Sequence, residues 1–296
     1  MKRVLTLVLA TLLVVPSIAP GAPTSGPDRR LNPDEISAFP SFVRRVEPAI
    51  VGLRVRNAEN AASSARLGSR RFGSAVIFDA RGYALTVSYL LLDSIELEAR
   101  GRDGRAVPAQ VVGVDLDTGL GVVKLEGDGP WPIATLGDSR AVVAGARTGT
   151  VGVDEDNDLV QVTGAVSAVK RFSAYWEYML DRAIIVAPAS PQWGGSAVVN
   201  DRGELIGIAS LRLGEPPHVN LAIPIEKFVA VKDELIESGR IASRPPRPWL
   251  GLYTVALPAG LFVSELSPVG PASRAGFRQG DRILKINGVA GRVPAG

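Results

Sequence analysis

A turn-rich, all-β chain is what this sequence predicts, its short strands closing as a barrel or a sandwich. Three features lead there. Apolar runs of strand length recur from Ala49 to the 219–225 stretch, set apart by turn signals. No helical pattern alternates with them, which argues against a parallel sheet built on crossovers. Gly 32 and Pro 22 are spread along the chain, as many tight turns require. With 296 residues, 46% hydrophobic and 21% charged, the chain has room for one large domain with a packed core and one small domain.

The N-terminus stands apart. Lys2 and Arg3 precede an apolar run from Val4 to Val15 and then small residues. That is the pattern of a secretory signal, too short to span a bilayer comfortably. Residues 1–22 are read as a signal peptide, or as an anchor if uncleaved, since Pro20 and Pro23 are poor residues to follow a cut. The rest is expected to work outside the cytoplasm, in a periplasm or beyond. Residues 23–40 are polar and proline-punctuated, a linker.

From Ser41 the strands begin. "SFVRRV" reads as a helical turn with Phe42, Val43 and Val46 on one side, and Ala49 to Val55 as the first strand. "GSAVIFD" and "YALTVSYLLL" follow across an "ARG" turn. "IELEARGRDGRAVPAQVVGVD" is a hairpin turning at Arg102-Asp103-Gly104. "LGVVKLEG", "GTVGV", "VQVTGAVSAV", "RAIIVAP", "SAVVNDRGELIGIASL" and "HVNLAIPI" complete the run. "IEKFVAVKDELIESG" then predicts one helix, with Phe228, Val231 and Leu235 on one face and Gly239 as its stop. Residues 240–248 form a stiff Pro/Arg linker, and 249–296 a second, short unit.

Composition limits the chemistry. Cys 0 excludes disulfides, thiolate nucleophiles and cysteine-zinc sites. One His leaves no multi-histidine metal site, and nothing points to a metal or another cofactor. Lys+Arg 33 against Asp+Glu 30 nets only +3, without a basic stripe carrying interleaved aromatics, so nucleic acid is not an expected partner.

Several ordered blocks carry more. These are "GSAVIFDARGYALT", "VVGVDLDTGLGVVKL", "TLGDSRAVVAGARTGTVG", "VTGAVSAVKR", "GGSAVVNDRGELIGIAS" and "NLAIPIEKF". Together they resemble the HtrA/Deg type of secreted, trypsin-like serine protease with a C-terminal PDZ domain, from about Val46 to the end. The resemblance implies two packed six-stranded β-barrels over residues 41–239, with an active site between them. Such chemistry needs a serine oxygen, a histidine that takes its proton and an aspartate that orients the imidazole. By the resemblance those positions fall at Gly194, Tyr89 and Gly119, so all three residues are lost. Matching the glycine pair instead puts Trp193 at the serine position. Gln192 and Trp193 replace small residues in the loop that should supply oxyanion donors, and Trp193 is bulky enough to fill the pocket there.

Substitutes are scarce. Ser196 lies two residues after Gly194, on the same face if strand alternation holds, yet needs a base. His218 falls by resemblance near the specificity cleft and reads as a rim histidine. Lys124 and Lys170 have no motif around them, and Asp115 and Asp117 read as turn residues. Because triad members act as a unit, loss of all three is what drift after loss of activity produces.

The C-terminal unit, "RPWLGLY" followed by "AGLFVSELSPVGPASRAGFRQGDRILKINGVAG", resembles an HtrA-type PDZ domain. Pro271 opens a short helix, and "RILKING" is a strand ending in an Asn287-Gly288 turn. Trp249, Leu250, Gly251 and Leu252 match the loop that captures a peptide's C-terminal carboxylate, the next strand pairing with the peptide. The helix and strand that should follow are absent before Gly296, so a truncated PDZ is expected. The function expected is a secreted, non-catalytic HtrA-like protein binding extended or unfolded polypeptide or C-termini, or modulating an active relative. The alternatives are an endopeptidase using Ser196 and a remnant without ligand. The resemblance also implies trimers through N-terminal aromatics, for which Phe39 and Phe42 are candidates, both equally suited to a core. A membrane is expected as a partner only through the N-terminal segment, if that segment is uncleaved.

Overall fold

A computed structural model describes residues 40–173, 178–244 and 249–290. The expected signal segment 1–22, nearly all of the 23–40 linker, Phe39 and the prolines at 245, 246 and 248 lie outside the described residues. Twelve strands make two closed barrels. In the first, β1 (Ile50–Asn57), β2 (Arg70–Asp79), β3 (Tyr83–Val87), β4 (Ser94–Arg100), β5 (Ala106–Asp115) and β6 (Leu120–Leu125) pair in the order β1-β2-β3-β6-β5-β4. The second uses β7 (Arg147–Val153), β8 (Leu159–Ser173), β9 (Met179–Ala187), β10 (Ala197–Asn200), β11 (Leu205–Leu213) and β12 (Val219–Pro224). Its order, β7-β8-β9-β12-β11-β10, repeats the first with every number raised by six. Closure removes most of the sheet edges that would otherwise expose unpaired backbone, leaving only strand ends that run past a partner.

Val, Ile and Leu at inward positions of the strands fill both barrels, with Leu53, Ile77, Leu85, Leu125, Leu180, Leu205 and Ile208 fully buried. The helical turn α1 (Ser41–Val46) buries Phe42, Val43 and Val46, as its spacing predicts. The Phe42 ring lies where a side chain on Gly149 would be, 2.4 Å from that Cβ position, so Phe42 is core rather than a free assembly contact. Two further short helices lie in the first barrel's loops, α2 (Ser64–Leu67) and α3 (Ser88–Leu91).

The helix expected over residues 225–239 is two helices. α4 (Ile225–Val229) ends where Val231 N turns to Phe228 O, a tighter i to i−3 bond, and α5 (Lys232–Ser238) restarts there. Phe228 and Leu235 are still buried, while Val229 faces solvent. Gly239 ends α5 in the left-handed conformation expected of it.

The C-terminal unit has a three-stranded sheet, β13 (Leu252–Leu257), β14 (Gly260–Leu266) and β15 (Arg282–Ile283), with α6 (Pro271–Arg274) between β14 and β15. The expected "RILKING" strand is broken at Leu284, and β16 (Lys285–Ile286) pairs with β17 (Val289–Ala290) instead. The turn between them is Asn287-Gly288, both at positive φ, the signature of a two-residue hairpin.

Candidate functional site between the barrels

The barrels meet along a seam where β2 faces β7 and the loop before β10. Ser74 N donates to Gly194 O at 2.8 Å, and Ser74 Oγ accepts from Val153 N at 3.0 Å. Gly195, at φ +83°, is required here: a Cβ on it would lie 1.9 Å from Ser74 O. Sequence reading singled out Tyr89, Gly119 and Gly194, and the fold gathers them at this seam. A Cβ on Gly194 would stand 2.9 Å from Tyr89 Oη. Gly119 O accepts from Ser88 N at 2.8 Å, which joins the β5–β6 loop to the start of α3.

Two phenols fill the crevice. Tyr89 Oη donates to Ser210 O at 3.1 Å. Tyr178 Oη donates to Ser210 Oγ at 2.6 Å. The Tyr178 ring occupies the space a side chain at 119 would need, 2.3 Å from that Cβ position, and Gly119 sits at φ +82°. Ser210 beneath them is fully buried. Sequence analysis missed Tyr178 and Ser210, which lie 59 and 91 residues beyond Gly119 with no local pattern connecting them.

Tyr89 is held from behind by Arg71. That buried guanidinium donates to Tyr89 O at 2.7 Å, Leu92 O at 3.0 Å, Gly68 O at 3.1 Å and Ser63 Oγ at 2.6 Å. Burial pushes its pKa below the usual arginine range, with the Asp93 carboxylate pulling it back. On the other side Arg244, from the segment after α5, donates to Asp115 Oδ1 at 2.6 Å and to Asp117 Oδ2 at 3.3 Å. Asp115 also accepts from Thr118 Oγ1 at 2.7 Å and from Asp117 N at 3.0 Å. Asp117 lies in the turn as expected, whereas Asp115 ends β5 with its carboxylate closing that turn, and both are ion-pair partners of Arg244. Burial weakens the Arg244 charge, the two carboxylates outweigh that, and its pKa is raised.

The loop before β10 satisfies itself. Gln192 N donates to Ser190 Oγ at 3.3 Å, and Ser190 N to Asn220 Oδ1 at 2.6 Å. Ser196 does not share a face with Gly194. Residues 194 and 195 form a turn and β10 starts only at Ala197, so strand alternation does not apply. The Ser196 hydroxyl points inward, donates to Gln192 O at 2.5 Å and is 0% exposed. Trp193 packs on the second barrel's apolar cluster of Val142, Val166 and Ile184, with the Arg212 guanidinium of β11 5.9 Å from its ring centroid.

The remaining candidates sit apart. His218 is in the β11–β12 hairpin, its Nδ1 2.6 Å from Gly214 O. Lys124 Nζ donates to Leu125 O at 2.7 Å on the first barrel, and Lys170 is exposed on β8. Among the described residues no cluster of His, Asp or Glu is arranged to hold a metal ion. At the head of β13, Gly251 at φ +69° packs against Gly270 and the Trp249 ring, Leu250 O accepts from Ala272 N at 2.9 Å, and Leu252 opens the strand. Trp249 and Leu250 themselves are exposed.

Two antiparallel barrels with a seam between them, followed by a small α+β unit, define a protein of the trypsin-like peptidase class carrying a PDZ domain. Family models agree: a trypsin-like peptidase domain matches residues 73–208 and a PDZ domain residues 242–292. The serine endoprotease DegS of Escherichia coli (strain K12) is 29% identical, the match covering 93% of this chain and 81% of that protein. A probable periplasmic serine endoprotease, DegP-like, of Halomonas elongata is 29% identical over 74% of this chain and 48% of its own length. Among solved structures, the HtrA-type protease AlgW with tripeptide superposes with a TM-score of 0.60 at 29% identity, covering 85% of this chain and 84% of that one. The serine endoprotease from Yersinia pestis gives 0.56 at 27%, covering 84% and 82%. The chain carries a trypsin-like peptidase domain and a PDZ domain and is homologous to the HtrA-type proteases DegS and AlgW.

Proposed function

We propose that this chain is a non-catalytic HtrA-type protein that binds extended polypeptide, alone or alongside an active relative, outside the cytoplasm. Positions 89, 119 and 194 are taken as those where a working triad would stand. The observation that carries the reading is the filled crevice: phenols from Tyr89 and Tyr178 converge on Ser210 where an imidazole and its aspartate would be needed. Amide cleavage needs a nucleophile beside a proton acceptor. The two buried hydroxyls of the neighbouring loop, Ser190 and Ser196, both donate to Gln192 O, and the one histidine is in the β11–β12 hairpin turn, bonded to Gly214 O.

Two edges support polypeptide binding. Among the described residues β13 has β14 on one side only, so its other edge is open to β-augmentation below the 249–252 loop. Among the described residues β11 pairs with β10 through Leu205–Ile208, with two further backbone links at Ala209, and its Leu211–Leu213 end has β12 on one side alone. The likeness to AlgW structures with bound tripeptide and decapeptide points the same way. The extracytoplasmic setting rests on the 1–22 pattern and on the periplasmic DegP-like relative.

Purified protein is expected to give no turnover of casein or of a fluorogenic peptide, and no labelling by a fluorophosphonate. Turnover abolished by Ser196→Ala would make this an enzyme with a displaced nucleophile. Binding of β-casein without cleavage is the expected positive result, and its absence would leave only a structural remnant.

A further inference from the structure

We propose that the Tyr89 phenol is a resident cap on the open edge of β11. It determines how deeply an extended chain can enter the crevice. This inference rests on the polypeptide-binding reading above and concerns the same crevice.

The register of β11 locates the cap. Ala209 pairs with Ala222 and Leu211 with Leu221, so Ser210 falls in a bulge between them. On the other side, pairing with β10 ends at Ile208, and the last backbone links there are Ala209 N to Ser196 O and Gly195 N to Ala209 O, both at 2.9 Å. Ser210 is therefore the first residue of β11 beyond its β10 partner. Its carbonyl is the first acceptor a peptide strand would meet when extending the sheet from that end. Tyr89 Oη already holds that carbonyl at 3.1 Å, and with Tyr178 on its hydroxyl Ser210 has no exposed surface. A chain laid along β11 can engage Leu211, Arg212 and Leu213 but must stop short of Ser210 while Tyr89 stays.

The cap is built in from both sides. Arg71 fixes the α3 backbone through Tyr89 O at 2.7 Å, which aims the side chain across the seam. Gly194 leaves room for the hydroxyl, since a Cβ there would stand 2.9 Å from it. A methyl at 194 forces one of the two to move, and the far end of the tyrosine is the softer partner.

The test uses the full chain and fluorescein-labelled β-casein as probe, followed by anisotropy. Tyr89→Phe keeps the ring and removes the donor, freeing Ser210 O. Gly194→Ala leaves the phenol intact and displaces it. Both are expected to tighten casein binding roughly three- to ten-fold, the worth of about one net hydrogen bond. The same ratio is expected in a Trp249→Ala background, which isolates the crevice from the C-terminal unit. Circular dichroism and a thermal melt establish that each variant is folded. If wild type binds and both folded variants bind equally or more weakly, the cap is overturned and polypeptide binding stands. If no variant binds casein at all, both are overturned.

Discussion

In the crevice, Ser210 lies wholly buried under two phenols, whereas at the head of β13 Trp249 and Leu250 stand 60% and 57% exposed. The crevice consumes its own polar groups: Ser210 O and Oγ, Gln192 N and O, and the Ser196 hydroxyl all have partners within the chain. The C-terminal unit instead leaves apolar side chains outward, Leu257, Phe277, Leu284 and Ile286 among them. A large apolar surface left in solvent marks a site of interaction. The contrast teaches that chemistry and docking are separable on this scaffold. The two sites draw on different elements of the chain.

The contrast breaks most easily at paired glycines. Gly119 and Gly276 both have positive φ, but a Cβ on Gly119 would strike the Tyr178 ring while one on Gly276 meets nothing within 4 Å. Gly119→Ala is expected to cost about 3–4 kcal/mol, backbone strain plus overpacking. Gly276→Ala should cost only about 1–2 kcal/mol, from the backbone alone. Urea unfolding of the full chain measures both, and equal losses would mean the crevice is not filled as described.

Tyr178→Phe tests the second phenol. Removing its hydroxyl leaves the buried Ser210 hydroxyl short of a partner, and a loss of about 1–2 kcal/mol is expected by the same measurement. An unchanged stability would show that Tyr178 acts by bulk alone. Trp249→Ala should change stability by no more than about 0.5 kcal/mol, because the side chain is exposed. It should nonetheless weaken capture of a peptide ending in a free carboxylate, read by anisotropy. A large drop in melting temperature would make Trp249 a packing residue.

The smallest effect belongs to a surface pair outside both regions. Side-chain hydrogen bonds from Arg81 hold the Asp79 carboxyl down to about 2, below roughly 3.9 in an unfolded chain. The pair therefore stabilises the fold above about pH 4 and loses that contribution as pH falls toward 2. Asp79→Asn should flatten the stability profile slightly across that window, and the difference should shrink in high salt.

Much of this molecule is legible in one dimension. The strand runs, the Phe42-Val43-Val46 face, the Gly104 and Asn287-Gly288 turns and the Gly239 helix stop are local patterns, and each appears where its chemistry places it. The residue types at 89, 119 and 194, the single histidine and the missing cysteines already limit the reactions available. Where local reasoning failed, a distant contact had the deciding vote. Ser196 faces inward because the turn at Gly194-Gly195 is fixed by Ser74 of the other barrel, more than a hundred residues earlier. Trp193 packs on the second barrel's core, against residues drawn from several strands.

The sequence by itself determined which chemical groups exist and how each strand alternates, since side-chain identity and the period of a strand are local. Only the tertiary structure decided that Tyr178 fills the space beside Gly119, that Tyr89 caps Ser210 and that Arg244 grips Asp115. Those contacts arise from closing two barrels against each other, and no stretch of neighbouring residues carries the information of which distant side chain will arrive.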